Sequence, residues 1–213
     1  MDAARIAALL EPFVETALAD SQLEQISTYI DLLVRWNARI NLTAIRKEEE
    51  IVTRHFGESL FLARHLFPAP ANSGQPRVID IGSGAGFPAL PLKIWAPKIH
   101  LTLIESNHKK AAFLREVART LTLTNINVIT DRAEAAAKNQ GLARAEVVTL
   151  RAVERFETIL PHAVEFLAPK GALALLIGAT QVPTLTAQTA LIWDPPIHIP
   201  QSHMRVVSMG VLA

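Results

Sequence analysis

Eleven residues carry the densest chemistry in this chain: Val78-Ile79-Asp80-Ile81-Gly82-Ser83-Gly84-Ala85-Gly86-Phe87-Pro88. An apolar run ends in a carboxylate, three glycines follow at alternate positions, and a proline opens the next segment. The spacing predicts a buried strand, a tight glycine turn and then a helix. Glycines let a backbone approach a ligand closely, and Pro88 suits a first helical turn, where no amide donor is needed. Turns of this kind, at the carboxyl end of a strand, are where α/β sheets bind nucleotides. The plain alternative is a tight strand–helix turn with no ligand.

The glycine spacing narrows the choice of ligand. Dinucleotide sites favour G-x-G-x-x-G, with a pyrophosphate held at the helix N-terminus. Here the pattern is Gly82-x-Gly84-x-Gly86, with Asp80 two residues ahead. A carboxylate there is awkward beside a pyrophosphate and suits the sulfonium and ammonium of S-adenosylmethionine. A second acid, Glu105, ends the next apolar run, His100-Leu101-Thr102-Leu103-Ile104. It lies about twenty residues on, the distance expected of a ribose-hydroxyl acceptor. These residues point to S-adenosylmethionine as the cofactor.

Composition excludes several other chemistries. Half of the 213 residues are apolar and mean hydropathy is +0.24, enough for one α/β domain plus an extension. There is no cysteine, which removes disulfides, a Cys-ligated zinc and a cysteine nucleophile, and the seven histidines show no metal-ligand spacing. No apolar run approaches the length of a membrane span. Met1-Asp2-Ala3-Ala4-Arg5 shows no signal-peptide pattern, and a soluble cytoplasmic protein is expected. Net charge is only +1, but residues 1–70 carry seven basic and ten acidic side chains, 71–130 seven and three, and 131–213 seven of each. The positive field therefore centres on the nucleotide-binding half, with Lys109, Lys110, Arg115 and Arg119. Either a polyanion docks there or it is an ordinary solvated helix face.

The elements that must position these residues follow from periodicity. Residues 1–67 read as helical: Ile6, Leu9, Leu10 and Phe13 share a face, and Ser21-x-x-Glu24 resembles a capping box opening a long helix. Its stripe runs through Leu23, Ile26, Ile30, Leu33, Trp36 or Asn37, and Ile40. Another stripe, Val52, His55/Phe56, Ser59, Leu62 and Leu66, marks a helix ending before Pro68, and 68–76 is a linker by composition. From Arg77 onward, strands expected at 77–81, 100–105, 126–130, 145–150 and 171–177 alternate with helices near 88–96, 107–121, 133–139 and 156–168. Such alternation implies right-handed crossovers and a parallel sheet covered on both faces. The tail, 189–199 and 203–212, reads as an antiparallel pair joined near Pro200-Gln201-Ser202, the usual ending of an S-adenosylmethionine methyltransferase sheet. The expected fold is thus α/β, a class I methyltransferase (Rossmann-like) domain over 77–213 with an N-terminal helical extension over 1–67, as one compact unit. Asp194-Pro195-Pro196-Ile197 imitates an adenine-N6 methyltransferase motif but lacks the aromatic and falls in the tail, so it reads as a turn.

An ordered set of motifs resembles the bacterial small-subunit rRNA methyltransferase G family, also called glucose-inhibited division protein B. The set is Trp36-Asn37-x-x-Ile40-Asn41-Leu42-Thr43, Arg54-His55-x-x-Glu58-Ser59, the glycine turn, Leu103-Ile104-Glu105-Ser106, Lys109-Lys110-x-x-Phe113-Leu114, Arg132-Ala133-Glu134 and Arg151-Ala152. The resemblance implies methyl transfer from S-adenosylmethionine to N7 of a guanine in the decoding-region loop of 16S rRNA, by a monomer that meets the small ribosomal subunit and no membrane. Guanine N7 already presents a lone pair, so no catalytic cysteine, metal or general base is required, and positioning supplies the acceleration.

The resemblance also implies residue roles. Asp80, Gly82, Gly84 and Phe87 would form the cofactor turn and Glu105 would bind the ribose. Ala133 and Glu134 would lie against the adenine, unless Arg132-Ala133-Glu134 is a helix start with solvated charges. Arg151, at a strand's carboxyl end, would hold the cofactor carboxylate or an rRNA phosphate through a bidentate fork, or else a salt bridge to Glu154 or Asp80. No catalytic residue is assigned. Arg151 and His55 are positioning candidates, with Asn41 and Arg54 beside His55 over the cofactor or the rRNA loop, unless these polar groups only cap helices and satisfy backbone. Lys109, Lys110 and Arg205 are the RNA-binding candidates. Two positions depart from the family pattern: Glu58 stands where Asp is usual, and Ile177 stands where a Lys precedes the glycine closing the fifth strand. Three other readings fit some of the residues: a methyltransferase of another RNA, one of a small molecule, and a ribosome-assembly module with a vestigial cofactor site.

Overall fold

The runs Val78–Ile81, Leu101–Ile104 and Val147–Leu150 are apolar at nearly every position because both of their faces are covered. In the computed structural model, which describes residues 1–68, 74–139, 141–151, 156–185 and 189–213, they are the centre of one sheet. Five parallel strands, β1 (Arg77–Ile81), β2 (His100–Ile104), β3 (Ile126–Ile129), β4 (Ala145–Arg151) and β5 (Leu167–Gly178), pair in the order β3-β2-β1-β4-β5. Chain direction through the sheet reverses between β1 and β4, which opens a crevice at their carboxyl ends. Strand β8 (Arg205–Leu212) runs antiparallel to β5, and β6 (Leu191–Trp193) and β7 (Ile197–His198) both pair with its outer side.

Alternate strand residues feed two apolar layers. On one face Val78, Leu101, Leu103, Val147 and Leu176 pack with the N-terminal helices; on the other Ile79, Ile104, Val148, Leu175 and Ile177 pack with the later ones. The first layer holds α1 (Ala3–Leu10), α2 (Asp20–Ile40), and a continuous helical rod of α3 (Glu48–Glu50), a π-helical stretch Ile51–Gly57 and α4 (Glu58–Leu66). It also holds α5 (Ala89–Trp95) and α6 (His108–Thr120). The second layer is α7 (Ala133–Ala136), α8 (Phe156–Glu165) and α9 (Val182–Leu185). No helix among the described residues is long and apolar enough to cross a membrane.

The structure departs from the sequence reading at several boundaries. Helix α2 begins one residue before Ser21, and its end is held by Gln22, whose Oε1 accepts from the Ala19 N–H at 2.9 Å, so Ser21 and Glu24 are not the cap. Helix α8 stops at Glu165 rather than 168, and β5 starts four residues early because Leu167 pairs with Ala145 ahead of a register shift at 145–147. The helix expected over 133–139 is only the four residues of α7. Asp194-Pro195-Pro196 does not turn the chain. It interrupts an edge strand, splitting it into β6 and β7, since two prolines cannot donate to a ladder. Most of the expected linker, 69–73, lies outside the described residues, as do Ala152 and Glu154.

Candidate active site

Strand register brings the motif residues together. Asp80 of β1 lies beside Thr149 of β4 and Leu103 of β2, and Ile81 lies beside Ile104 and Leu150. The residues that follow, Gly82, Glu105 and Arg151, therefore meet at the carboxyl ends flanking the crevice. Asp80 is 1% exposed; its Oδ1 accepts from the Thr149 hydroxyl at 2.6 Å, and its Oδ2 has no partner among the described residues. Burial pushes its pKa up to about 7, against the hydrogen bond from Thr149, while the Ser83 hydroxyl donates to the Asp80 backbone carbonyl. The turn is tied to β2 by the Gly82 and Ser83 amides, which both donate to the Ile104 carbonyl. Glu105 already uses both oxygens: Oε2 accepts from the Gly84 N–H at 2.8 Å and Oε1 from the Asn107 N–H at 2.7 Å. Gly84 has φ of 54°, and a Cβ there would meet only the Gly82 carbonyl at 3.7 Å, so the turn's outer side is open for close approach.

Phe87 is buried in a stack of rings. His55 lies over it at 4.7 Å and 18°, and Tyr29 lies under it at 5.3 Å and 3°. Nothing in the sequence marks Tyr29, which falls on the apolar stripe of α2, yet its hydroxyl donates to the Ala85 carbonyl inside the glycine turn. His55 Nε2 is 2.8 Å from the Thr43 hydroxyl, while the buried Nδ1 has no partner among the described residues. Burial, then the Arg151, Arg54 and Arg205 charges, lower the His55 pKa to about 3, so the ring is neutral at physiological pH. Asn37 makes two hydrogen bonds with the Thr43 backbone and closes the loop after α2, while Asn41 is the exposed left-handed residue ending that helix.

Of the two expected ion-pair partners of Arg151, Glu154 lies outside the described residues, and Asp80 is not joined to it. Arg151 Nη2 lies 3.1 Å from Glu58 Oε2 and donates to the Arg54 carbonyl at 2.6 Å, and its Nη1 reaches the His55 carbonyl at 3.5 Å. Arg205 pairs with the other oxygen of the same carboxylate, Nη2 to Oε1 at 2.6 Å. Glu58 is 2% exposed, so one buried carboxylate joins the N-terminal helical layer to β4 and β8. The expected role of Glu58, a position in a motif, did not include this bridge. Lys109 and Lys110 stand at the start of α6, whose first turn is capped by the Asn107 side chain, and neither ammonium pairs with a carboxylate among the described residues. Ala133 is buried at the start of α7, and Glu134 is exposed beside it. Ile177 is 5% exposed within the second apolar layer, and the positive group nearest in register is Arg205, opposite Gly178. A groove of about 890 Å³ opens at the other end of the sheet, lined by Arg77, His100, Asn127 and Glu146, and contains none of these residues. No metal-ligating cluster occurs among the described residues.

The same residues fall within one family description. The model of rRNA small subunit methyltransferase G matches residues 22–193, from the first turn of α2 to the end of β6. The chain belongs to that family. The ribosomal RNA small subunit methyltransferase G of Roseiflexus castenholzii is 46% identical over 162 residues, covering 72% of this chain and 67% of that one. The chain thus spans about two thirds of that relative's length. The methyltransferase G of Streptococcus agalactiae is 37% identical over 178 residues, covering 82% and 73%. In fold the chain is similar to the ribosomal protein L11 methylase of Lactobacillus delbrueckii, with a TM-score of 0.58 and 14% identity over 74% of this chain and 80% of that one. The expected class I methyltransferase architecture, parallel strands ending in an antiparallel pair, is the one observed.

Proposed function

We propose that this protein transfers a methyl group from S-adenosylmethionine to N7 of a guanine in the decoding-region loop of 16S rRNA. The observation that carries the reading is the buried, half-unpartnered Asp80 carboxylate beside an open glycine turn at the crevice, in a chain of this family. The residues present fit the cofactor. The free Oδ2 of Asp80 matches a cationic ligand, and Glu105 retains lone pairs for ribose hydroxyls beyond the two amides it accepts. The Gly82, Ser83, Gly84 and Gly86 amides are engaged within the protein, so the turn meets the ligand through the open backbone face beside Gly84. Ala133 and Glu134 close the adenine side, and Phe87 forms the floor. When bound, the cofactor supplies an electrophilic methyl on a sulfonium.

The chain's own task is then positioning. The acceptor nitrogen needs no deprotonation, so orientation in a site shielded from water carries the acceleration. Arg151 and His55 act by holding the rim. Arg151 ties the π-helical stretch to β4, and His55, neutral and stacked on Phe87, packs that stretch against the cofactor turn. Lys109 and Lys110 supply unpaired positive charge for rRNA phosphates, with Arg205 contributing beyond its pairing to Glu58. The enzyme acts as a monomer where ribosomes assemble, in the cytoplasm.

The test is transfer of labelled methyl to small ribosomal subunits lacking the modification, with the product mapped by mass spectrometry. Recovery of 7-methylguanosine in the decoding-region loop is expected. Cofactor binding without transfer would reject the subunit as acceptor and direct the search to naked RNA or small molecules. Absence of cofactor binding would reject the methyltransferase reading in favour of an assembly module.

A further inference from the structure

Three glycines at alternate positions give the turn after β1 little shape of its own. Gly82, Gly84 and Gly86 adopt φ of 69°, 54° and 88°, a region that glycine enters without steric cost. The peptide between Ala85 and Gly86 could flip cheaply in such a backbone, yet both its polar groups are held. Its N–H donates to the Ser83 carbonyl at 2.6 Å, a bond local to the turn. Its C=O accepts from the Tyr29 hydroxyl at 2.5 Å, and Tyr29 lies 56 residues away on α2.

Tyr29 has almost no freedom to do anything else. It is fully buried, with Phe87 stacked on its ring, Phe56 edge-on at 5.2 Å and Phe113 tilted at 6.2 Å. Packed rings on several sides fix where the hydroxyl points. Burial and the Asp80 charge push its pKa well above 10, so it remains a donor at any working pH. The fit is close enough that a Cβ at Gly86 would collide with the hydroxyl oxygen.

We propose that Tyr29 is a positioning residue for S-adenosylmethionine: α2 uses its hydroxyl to pin the Ala85–Gly86 peptide in the orientation that receives the cofactor. The helical extension thereby belongs to the binding site without touching the ligand. The inference rests on the methyltransferase reading. Its physical content is preorganisation: a turn ordered before the ligand arrives does not charge that ordering to the binding free energy.

The experiment uses the full chain and its Tyr29→Phe variant, which keeps the ring stack and deletes only the hydroxyl. Calorimetry measures affinity for S-adenosylmethionine and for its demethylated product, and a thermal scan without ligand measures stability. The expected result is about fivefold weaker binding of both ligands, the net worth of one hydrogen bond. The KM for cofactor rises with it, and the KM for ribosomal subunits does not. A lower melting temperature with unchanged affinities would make Tyr29 merely structural and overturn the proposal. A second measurement needs no variant: in the cofactor-free wild type the Gly86 amide should resist hydrogen exchange as the β1 amides do. Exchange at the rate of a free loop would overturn it equally. A wild type that binds neither ligand refutes the methyltransferase reading itself, an outcome distinct from wild-type binding that Tyr29→Phe leaves unchanged.

Discussion

Glu58→Gln tests the contact that joins the helical layer to two strands at once. Two guanidiniums meet on this carboxylate, Arg151 at 3.1 Å and Arg205 at 2.6 Å, and the carboxylate is 2% exposed. Removing one partner of a buried ion pair costs about 3–5 kcal/mol, because the remaining charge is stranded. The two halves are unequal. Arg151 is 12% exposed and carries most of that penalty, whereas Arg205 is 31% exposed and its half is largely screened by water. Burial outweighs the guanidiniums and raises the Glu58 pKa, and glutamine keeps one carbonyl acceptor, so only part of that cost, about 2 kcal/mol, is expected. For a chain of this size that lowers Tm by about 4–8 °C. Reversible urea unfolding followed by circular dichroism measures it, with Arg205→Ala and Glu58→Asp alongside. Arg205→Ala should cost about 1 kcal/mol, and Glu58→Asp should fall between the two, since a shorter carboxylate reaches one guanidinium well. A loss below about 1 kcal/mol for Glu58→Gln, or an equal loss for Arg205→Ala, would refute the buried-strut account.

Further expectations concern charge. The Asp80 pKa is about 7 in the fold against an ordinary value of 3.8, so the fold favours the neutral form and stability is lost as pH rises from about 4 to 7. Asp80→Asn should therefore stabilise the cofactor-free protein at pH 8 by up to about 4 kcal/mol and not at pH 3.5. Binding of the cationic cofactor by the wild type should strengthen from pH 6 to 8, and calorimetry on Asp80→Asn should show that trend gone. His55 has the opposite sign: its pKa is lowered to about 3 from 6.5, so its contribution is full above pH 6.5 and is lost as pH falls. Relative to His55→Phe, the wild type should lose about 2 kcal/mol of stability between pH 7 and 5 in paired urea titrations, and no histidine limb should appear in the activity profile above pH 5. Replacing Lys109 and Lys110 by Ala should weaken binding to ribosomal subunits, lower the slope of affinity against salt by about one for each phosphate no longer neutralised, and leave cofactor affinity unchanged; a cofactor effect would move these lysines out of the RNA surface.

The parts of the fold that sequence alone predicted well are those whose cause is local. Strands β1, β2 and β4 fall within a residue of their apolar runs, because a strand covered on both faces must be apolar throughout. The glycine turn is equally local, since its φ values and its carboxylate lie within a few residues of each other. Glu105 was foreseeable from its place at the end of β2. Elements decided by distant pairing were not. The early start of β5 depends on Leu167 meeting Ala145, and the split of β6 from β7 depends on where two prolines fall against β8. Tyr29 looks like one more core residue until the turn is placed against it. Glu58 meets Arg151 across 93 residues of sequence, a separation over which no spacing rule speaks.

Those two unforeseen contacts sit on opposite flanks of the same crevice. Tyr29 reaches the turn after β1 from α2, and Glu58 reaches Arg151 at the end of β4 from the junction of the π-helical stretch with α4. The π-helical stretch matters to the second contact. Here the hydrogen-bond ladder is shifted from α-helical to π-helical, Arg151 donates to the Arg54 oxygen at 2.6 Å, and the His55 carbonyl also accepts from the Glu58 N–H and the Ser59 hydroxyl. An arginine with a carboxylate and a carbonyl already in its fork has little left for a phosphate, so under the proposed function the part left to Arg151 is to fix the backbone around His55 rather than to grip RNA. The rings of His55, Phe87 and Tyr29 then run continuously from that fixed backbone to the pinned turn. A displacement of the π-helical stretch therefore has a packed route to the glycine turn, and the helical layer is the piece that both sides of the crevice share.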